Sequence, residues 1–238
     1  MKNILICKNC GHENPYYGLI CKNCKSYMRE RIFNIDLWNI LALLIENPVK
    51  AFSIIIQSEH KNFILTISMI ASIKLFIDSM FLSLAGFKTE PYFGHFIRNY
   101  FIVFASVFIV TAAFSYIFTR VNKSFGLITR FRDNFSILIY SFSPHALALI
   151  LLMTVELTIF GGNIFSNNPS PFTIKTLLAY TMLGFEILII LWSIFLAIIG
   201  IYTQTKNFLY SLITGIIFSG IIYSCLAINS NFLYNLNI

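Results

Sequence analysis

Polar and apolar positions divide this chain into a short mixed segment, two amphipathic stretches and five long apolar runs. The runs cover roughly residues 62–85, 98–118, 135–160, 176–202 and 207–228. About 20 helical residues cross a hydrocarbon core, so the pattern predicts five spans, the fourth long enough to tilt. Ahead of them, residues 36–46 read as a mostly apolar helix containing Trp38. Asn47-Pro48 then starts a second helix, with Asn47 as N-cap and Pro48 at the first helical position, running to about Glu59. Val49, Phe52, Ile55 and Ile56 share one face of it, while Lys50, Ser53, Gln57 and Glu59 are polar. Such a helix lies on the bilayer or against the bundle. The expected architecture is an all-α polytopic membrane protein: a small domain at 1–31, linker helices at 32–61 and a five-helix membrane domain at 62–238.

Composition supports this. The chain is 57% hydrophobic and only 11% charged, with a mean hydropathy of +0.75. Soluble domains carry about 25% charged residues, so a soluble globule of this sequence would lack polar groups for its surface. The apolar stretch Ile4–Ile6 is too short for a secretory signal, and Ile6 is too bulky to precede a lipid-modified Cys7. The N-terminus is therefore expected to stay in the cytosol.

A net charge of +7 raises the question of nucleic acid. The placement of the basic residues answers it. Lys2, Lys8, Lys22, Lys25, Arg29, Arg31, Lys50 and Lys61 precede the first run, Arg120, Lys123, Arg130 and Arg132 lie between the second and third, and Lys206 lies between the fourth and fifth. Those 13 fall on one side, against Lys88, Arg98 and Lys175 on the other. Cytoplasmic loops carry the excess of Lys and Arg, which predicts a cytosolic N-terminus and an external C-terminus. Arg120, Lys123, Arg130 and Arg132 are also candidate contacts for anionic lipid, each worth about 1 kcal/mol near a charged surface.

The first domain repeats itself. Ile6-Cys7-Lys8-Asn9-Cys10 returns as Ile20-Cys21-Lys22-Asn23-Cys24. Each C-x2-C turn aims two thiolates at one point, and two such turns close a four-sulfur site suited to structural zinc. Gly11 fits a turn needing an unusual backbone angle, and Asn14, Pro15 and Gly18 suit a hairpin across the spacer. About thirty residues cannot fold on a core alone, so the metal supplies the folding free energy. Two disulfides would need an oxidising compartment, and His12 is superfluous beside four thiolates. Residues 1–31 hold six basic and two acidic groups, and Zn²⁺ with four thiolates subtracts two charges. That footprint is too weak for phosphate recognition, so the ribbon is expected to dock a protein partner or to act as a folding module.

Charged residues inside spans are functional suspects. Lys74 and Asp78 stand four apart on one face of the first span and can pair. Glu186 lies near mid-depth of the fourth, Glu156 near the outer end of the third within reach of headgroups, and His145 follows Pro144 in the third. Lys74, Asp78, Glu186 and His145 form a candidate polar cluster, read either as a pathway for protons or a small solute or as a packing device. Pro144 leaves the carbonyl of Tyr140 free, a natural partner for His145. Gly215 and Gly220 in the last span suit close helix contact. No catalytic motif is present, and no enzyme activity or organic cofactor is expected.

Asn47-Pro48-Val49-Lys50-Ala51-Phe52, Tyr140-Ser141-Phe142-Ser143-Pro144 in the third run, and the stretch from Trp192 through Gly200 and Ile201 followed by a short turn resemble the Yip1-domain membrane proteins. The similarity covers about residues 35–230, and the ribbon fusion resembles prokaryotic members. The resemblance implies a non-enzymatic membrane scaffold that assembles with itself or with other membrane proteins, here in a prokaryotic cytoplasmic membrane. The competing expectation is a transporter or channel using Lys74, Asp78 and Glu186. An intramembrane hydrolase has no support beyond His145.

Overall fold

The computed structural model describes residues 3–86, 96–166 and 168–235; Lys2 and Lys88 of the charge count lie outside them. Helices make up 74% of the chain, in line with an all-α class. The elements are β1 (Ile4–Ile6), β2 (Glu13–Pro15), α1 (Leu37–Glu46), α2 (Pro48–Gln57), α3 (Ile64–Gly86), α4 (Phe96–Ser124), α5 (Phe131–Tyr140), α6 (Ser143–Phe160), α7 (Pro171–Ile174), α8 (Thr176–Thr205) and α9 (Phe208–Asn235), with a 3-10 turn at Gly161–Phe165. Among the described residues five helical stretches are long and apolar enough to cross a membrane, α5 and α6 together forming the third.

The caps explain where the linker helices begin. Asp36 accepts from the amides of Trp38 and Asn39, and Asn47 accepts from that of Lys50 with Pro48 following, as the sequence predicts. The third run departs from expectation, since it is two helices rather than one kinked helix. Pro144 has no N–H to offer Tyr140, so α5 ends at Tyr140 and α6 restarts at Ser143, with the His145 amide returning to the Phe142 carbonyl.

The chain divides into two compact units. The first comprises Met1–Leu65, Thr111–Ser141 and Ile194–Phe218. Here α2 lies against protein, not lipid: Ala51, Phe52, Ile55 and Ile56 are buried, and α2 packs on α1 and α5. Every residue of α5 from Asp133 to Tyr140 is buried. Among its polar members, Asn134 Nδ2 donates to Thr119 Oγ1 at 2.6 Å and Tyr140 OH to the Asn62 carbonyl at 2.6 Å, while Asn134 Oδ1 is buried without a hydrogen-bond partner among the described residues. At Gly200 a Cβ would stand 2.5 Å from Ile137 Cγ2, so α8 meets α5 and α2 through bare backbone.

The second unit comprises Thr66–Val110, Phe142–Ser193 and Ser219–Ile238. Ile77, Phe81, Met153, Phe160, Ile164, Ala179 and Met182 form its apolar core. Its outer surface inverts the soluble pattern. Leu177, Leu188 and Leu191 on α8 are exposed, while Glu186 on the same helix is buried. Only 28% of the apolar window of α8 is covered by protein, which leaves the apolar side chains for a non-aqueous solvent. The two glycines of α9 differ from one another. Gly215, in the first unit, abuts Ile198, as the small-residue reading expects, whereas a Cβ on Gly220, in the second, would meet nothing within 4 Å.

Candidate metal centre and buried charge cluster

The internal repeat folds twice into the same knuckle. β1 pairs antiparallel with β2, Ile6 opposite Glu13, and Cys7 to Cys10 form the turn between them. In the second copy Ile20 bridges Tyr27 around Cys21 to Cys24. The bonds repeat also: the Gly11 amide donates to the Cys7 carbonyl at 2.9 Å and the Lys25 amide to the Cys21 carbonyl at 3.1 Å. Gly11 (φ +72°) and Lys25 (φ +60°) occupy equivalent left-handed positions, which glycine takes without cost and lysine does not. Glu13 to Pro15 thus belong to a strand rather than to a turn of the spacer. Gly18 makes the turn that follows, its amide donating to the Pro15 carbonyl.

The Sγ atoms of Cys7, Cys10, Cys21 and Cys24 all lie within 4.8 Å of one another, an arrangement able to hold a metal ion. Cys7 to Cys24 and Cys10 to Cys21 are both 3.6 Å apart. These are not disulfides, whose sulfurs approach to about 2.05 Å. A tetrahedron with metal–sulfur bonds of about 2.3 Å has edges of about 3.8 Å, close to the Cys7–Cys24 and Cys10–Cys21 separations. Outer groups aim hydrogen atoms at the sulfurs. Ser26 Oγ is 3.0 Å from Cys24 Sγ and 3.4 Å from Cys7 Sγ, and Asn14 Nδ2 donates to Cys21 Sγ at 3.5 Å. The hydroxyl and amide of Ser26 pull the Cys24 thiol down to about 5, whereas, against the pull of the His12 backbone, the neighbouring Cys24 and burial push Cys10 up to about 11, so Cys24 is the readier thiolate. His12 contributes no ligand to the group.

The ribbon is fastened to the rest of its unit. Arg29 donates to the carbonyls of Gly18 (3.2 Å), Tyr17 (3.2 Å) and Gln57 (2.7 Å), closing the ribbon onto the end of α2. Tyr16 OH meets Ser53 Oγ at 2.8 Å, and Asn3 exchanges hydrogen bonds with the backbone of Ile128. The Arg130 guanidinium stacks 3.9 Å from the centre of the Tyr17 ring. Nothing in the sequence pattern announces this docking, because it depends on loops far apart in the chain.

The expected polar cluster forms within the second unit, with one more member than the sequence suggested. Lys74 Nζ lies 2.7 Å from Asp78 Oδ1 and 3.3 Å from Glu156 Oε2, and also pairs with Glu186 Oε1. Lys74 and Glu156 are 0% and 1% exposed, so Glu156 does not reach headgroups. It turns inward because Lys74 offers the partner that burial demands. His145 and Glu156 are eleven positions apart, close to three helical turns, and that shared face was the available signal. His145 differs from expectation as well. Its Nε2 stands 3.0 Å from Tyr223 OH and its Nδ1 3.6 Å from Asp78 Oδ2, with no carbonyl as side-chain partner among the described residues.

The four basic loop residues separate into two pairs. Arg130 makes two bonds to Asp133, at 2.8 and 3.1 Å, and Arg132 donates to the Glu59 carbonyl. Arg120 and Lys123 remain at a cleft of roughly 360 Å³ shared with Thr119, Thr129, Tyr116 and Phe131. No family model, curated protein or solved structure matches this chain.

Proposed function

We propose that this chain is a non-enzymatic scaffold of the Yip1 type in a prokaryotic cytoplasmic membrane, with a zinc ribbon as its cytosolic cap. The carrying observation is the attachment of the ribbon through Arg29, Tyr16 and Asn3 to α2 and the loop before α5. A four-thiolate tetrahedron is chemistry that suits zinc. Binding would fix the ribbon's fold and hold the basic segments in one arrangement. The excess of Lys and Arg among those segments supports a cytosolic position for them. Arg120 and Lys123, side by side at their cleft, offer a phosphate of an anionic headgroup two positive charges.

The partner surface on this reading is the outer side of the ribbon. Ile6 and Ile20, the same residue of each repeat, are 65% and 45% exposed, and Tyr27 opposite Ile20 is 71% exposed. Pairs of exposed aliphatic and aromatic residues on a metal-braced module suit a protein, a second copy or another membrane protein, better than they suit phosphate. Crosslinking in native membranes tests this, comparing the wild type with Ile6→Ser/Ile20→Ser. Loss of a specific crosslinked species in the variant, with zinc content retained, supports the reading. An identical crosslinking pattern removes the ribbon from partner binding and leaves it a structural cap.

A further inference from the structure

The cluster around Lys74 does not balance its own charge. Asp78, Glu156 and Glu186 bring three carboxylates to one ammonium. A charged His145 would still leave a negative excess. All five side chains are buried, Asp78 the least at 6% exposed. An uncompensated charge at such a site costs several kcal/mol.

Glu156 Oε1, Glu186 Oε2 and both oxygens of Asp78 are buried and have no hydrogen-bond partner among the described residues. Asp78 Oδ1 lies 2.7 Å from Lys74 Nζ and Asp78 Oδ2 3.6 Å from His145 Nδ1, which leaves the two glutamate oxygens as those with no ion-pair contact among the described residues. Their sister oxygens both touch Lys74 Nζ, so the two carboxyl groups are neighbours on α6 and α8. The other titratable groups facing the site are Lys74 and Asp78 from α3, His145 from α6 and Tyr223 from α9.

We propose that Glu156 and Glu186 together form a binding site for a monovalent cation, a proton or an alkali-metal ion held between their unpartnered oxygens. A proton taken from solvent bonds to one oxygen and lets that carboxyl donate to the other. An alkali ion would accept both oxygens as ligands. Neither route changes a covalent bond between heavy atoms or needs a redox partner. This site goes beyond the scaffold reading, and its failure would leave that reading untouched.

The test is the thermal midpoint of the full chain in nanodiscs, wild type beside Glu156→Gln/Glu186→Gln. One series varies pH at fixed ionic strength. The other replaces choline by sodium or potassium at fixed pH. A cation bound only by the folded state raises the folding equilibrium by about tenfold per tenfold rise in its concentration once that concentration exceeds its dissociation constant. The expected result is that the wild-type midpoint climbs with proton or alkali-ion concentration and the variant's does so less. A climb with falling pH alone identifies the proton, and one with sodium or potassium alone identifies the metal ion. Acid effects on the ribbon are common to both proteins and cancel in the comparison. Equal slopes in the two proteins, or no slope in the wild type, overturn the proposal. If the double variant does not fold, Glu156→Gln replaces it, since it keeps the Lys74–Glu186 contact. An unchanged slope there overturns the proposal equally.

Discussion

Lys61 and Asp133 form an ion pair nearly sealed from solvent: Nζ lies 3.1 Å from Oδ1, and the side chains are 2% and 0% exposed. Each charge also answers a helix end. Lys61 donates to the carbonyls of Ile55 and Ile56 in the last turn of α2, and Asp133 sits in the first turn of α5. Asp133 additionally takes two bonds from Arg130, whose side chain is 44% exposed. Removing the carboxylate strands a buried lysine, whereas removing Arg130 leaves the inner pair intact. Asp133→Asn is therefore expected to cost about 3–5 kcal/mol and Arg130→Gln about 1 kcal/mol or less. Denaturant titration of the two variants in one detergent checks the order.

The same pair gives a dependence on pH. Burial pushes Lys61 down to about 8 from the ordinary 10.5, although Asp133 opposes it. Between those values the unfolded chain holds a proton that the folded chain has released. Stability therefore rises with pH across that window, while below it the cost of burying the charged lysine is fully present and does not change with pH. Midpoints measured from about pH 7 to pH 10 should climb more steeply for the wild type than for Lys61→Met. A steeper climb in the variant would show that attraction by Asp133, not burial, dominates.

Zinc should bind one ion per chain, and the residues behind the sulfurs should tune it. Ser26 and Asn14 are not ligands, yet they direct donors at Cys24 and Cys21. Groups in that position typically change metal affinity by about 10–100-fold. Ser26→Ala and Asn14→Ala are each expected to weaken zinc by that factor in competition with a chromophoric chelator. Lys25→Gly should do the opposite for the fold, relieving a left-handed strain worth about 1 kcal/mol. It should raise the chelator concentration needed to open the ribbon.

How far the sequence is legible varies with the range of the interaction. The C-x2-C repeat, the Asn47-Pro48 start and the Lys74–Asp78 pair depend on neighbours within a turn or two, and each lies where the pattern places it. Glu156 and Asp133 sit near the ends of an apolar run, where a carboxylate reads as a solvated boundary. Their burial depends on Lys74 and Lys61, which belong to other segments. The division of the third run is half legible. Pro144 announces a disturbance, but a kink and a full restart share one sequence signal. Arg132 looks like a loop charge free for lipid because its partner, the Glu59 carbonyl, comes from far along the chain, whereas Arg130 has Asp133 three positions on and only its stacking on Tyr17 is long-range.

Arg29 supplies the link most open to test. Its guanidinium reaches Tyr17 and Gly18 on the ribbon side and Gln57 on the α2 side, a fan of donors that the single ammonium of lysine cannot reproduce. Hydrogen bonds from a charged donor contribute about 1.5–3 kcal/mol. Arg29→Lys should therefore loosen the ribbon without emptying its metal site. Limited proteolysis would cut sooner between the ribbon and α1, while zinc content stays at the wild-type value. Simultaneous loss of zinc would mean that docking and metal binding are one cooperative event.

Gly200 and Gly220 make opposite predictions for the same change. An alanine Cβ at 200 would enter the space of Ile137 and of the Phe52 ring, at 2.5 and 3.0 Å. Both neighbours are wholly buried, with no room to retreat, so overpacking should cost about 1–3 kcal/mol. At Gly220 nothing lies within 4 Å, and replacing a mid-helix glycine by alanine gains about 0.8–1 kcal/mol of helix propensity in aqueous hosts. Gly200→Ala should lower the thermal midpoint and Gly220→Ala should hold or raise it. A loss at Gly220 comparable to that at Gly200 would mean that this face of α9 meets a partner, another helix of a second copy packed against the bare backbone.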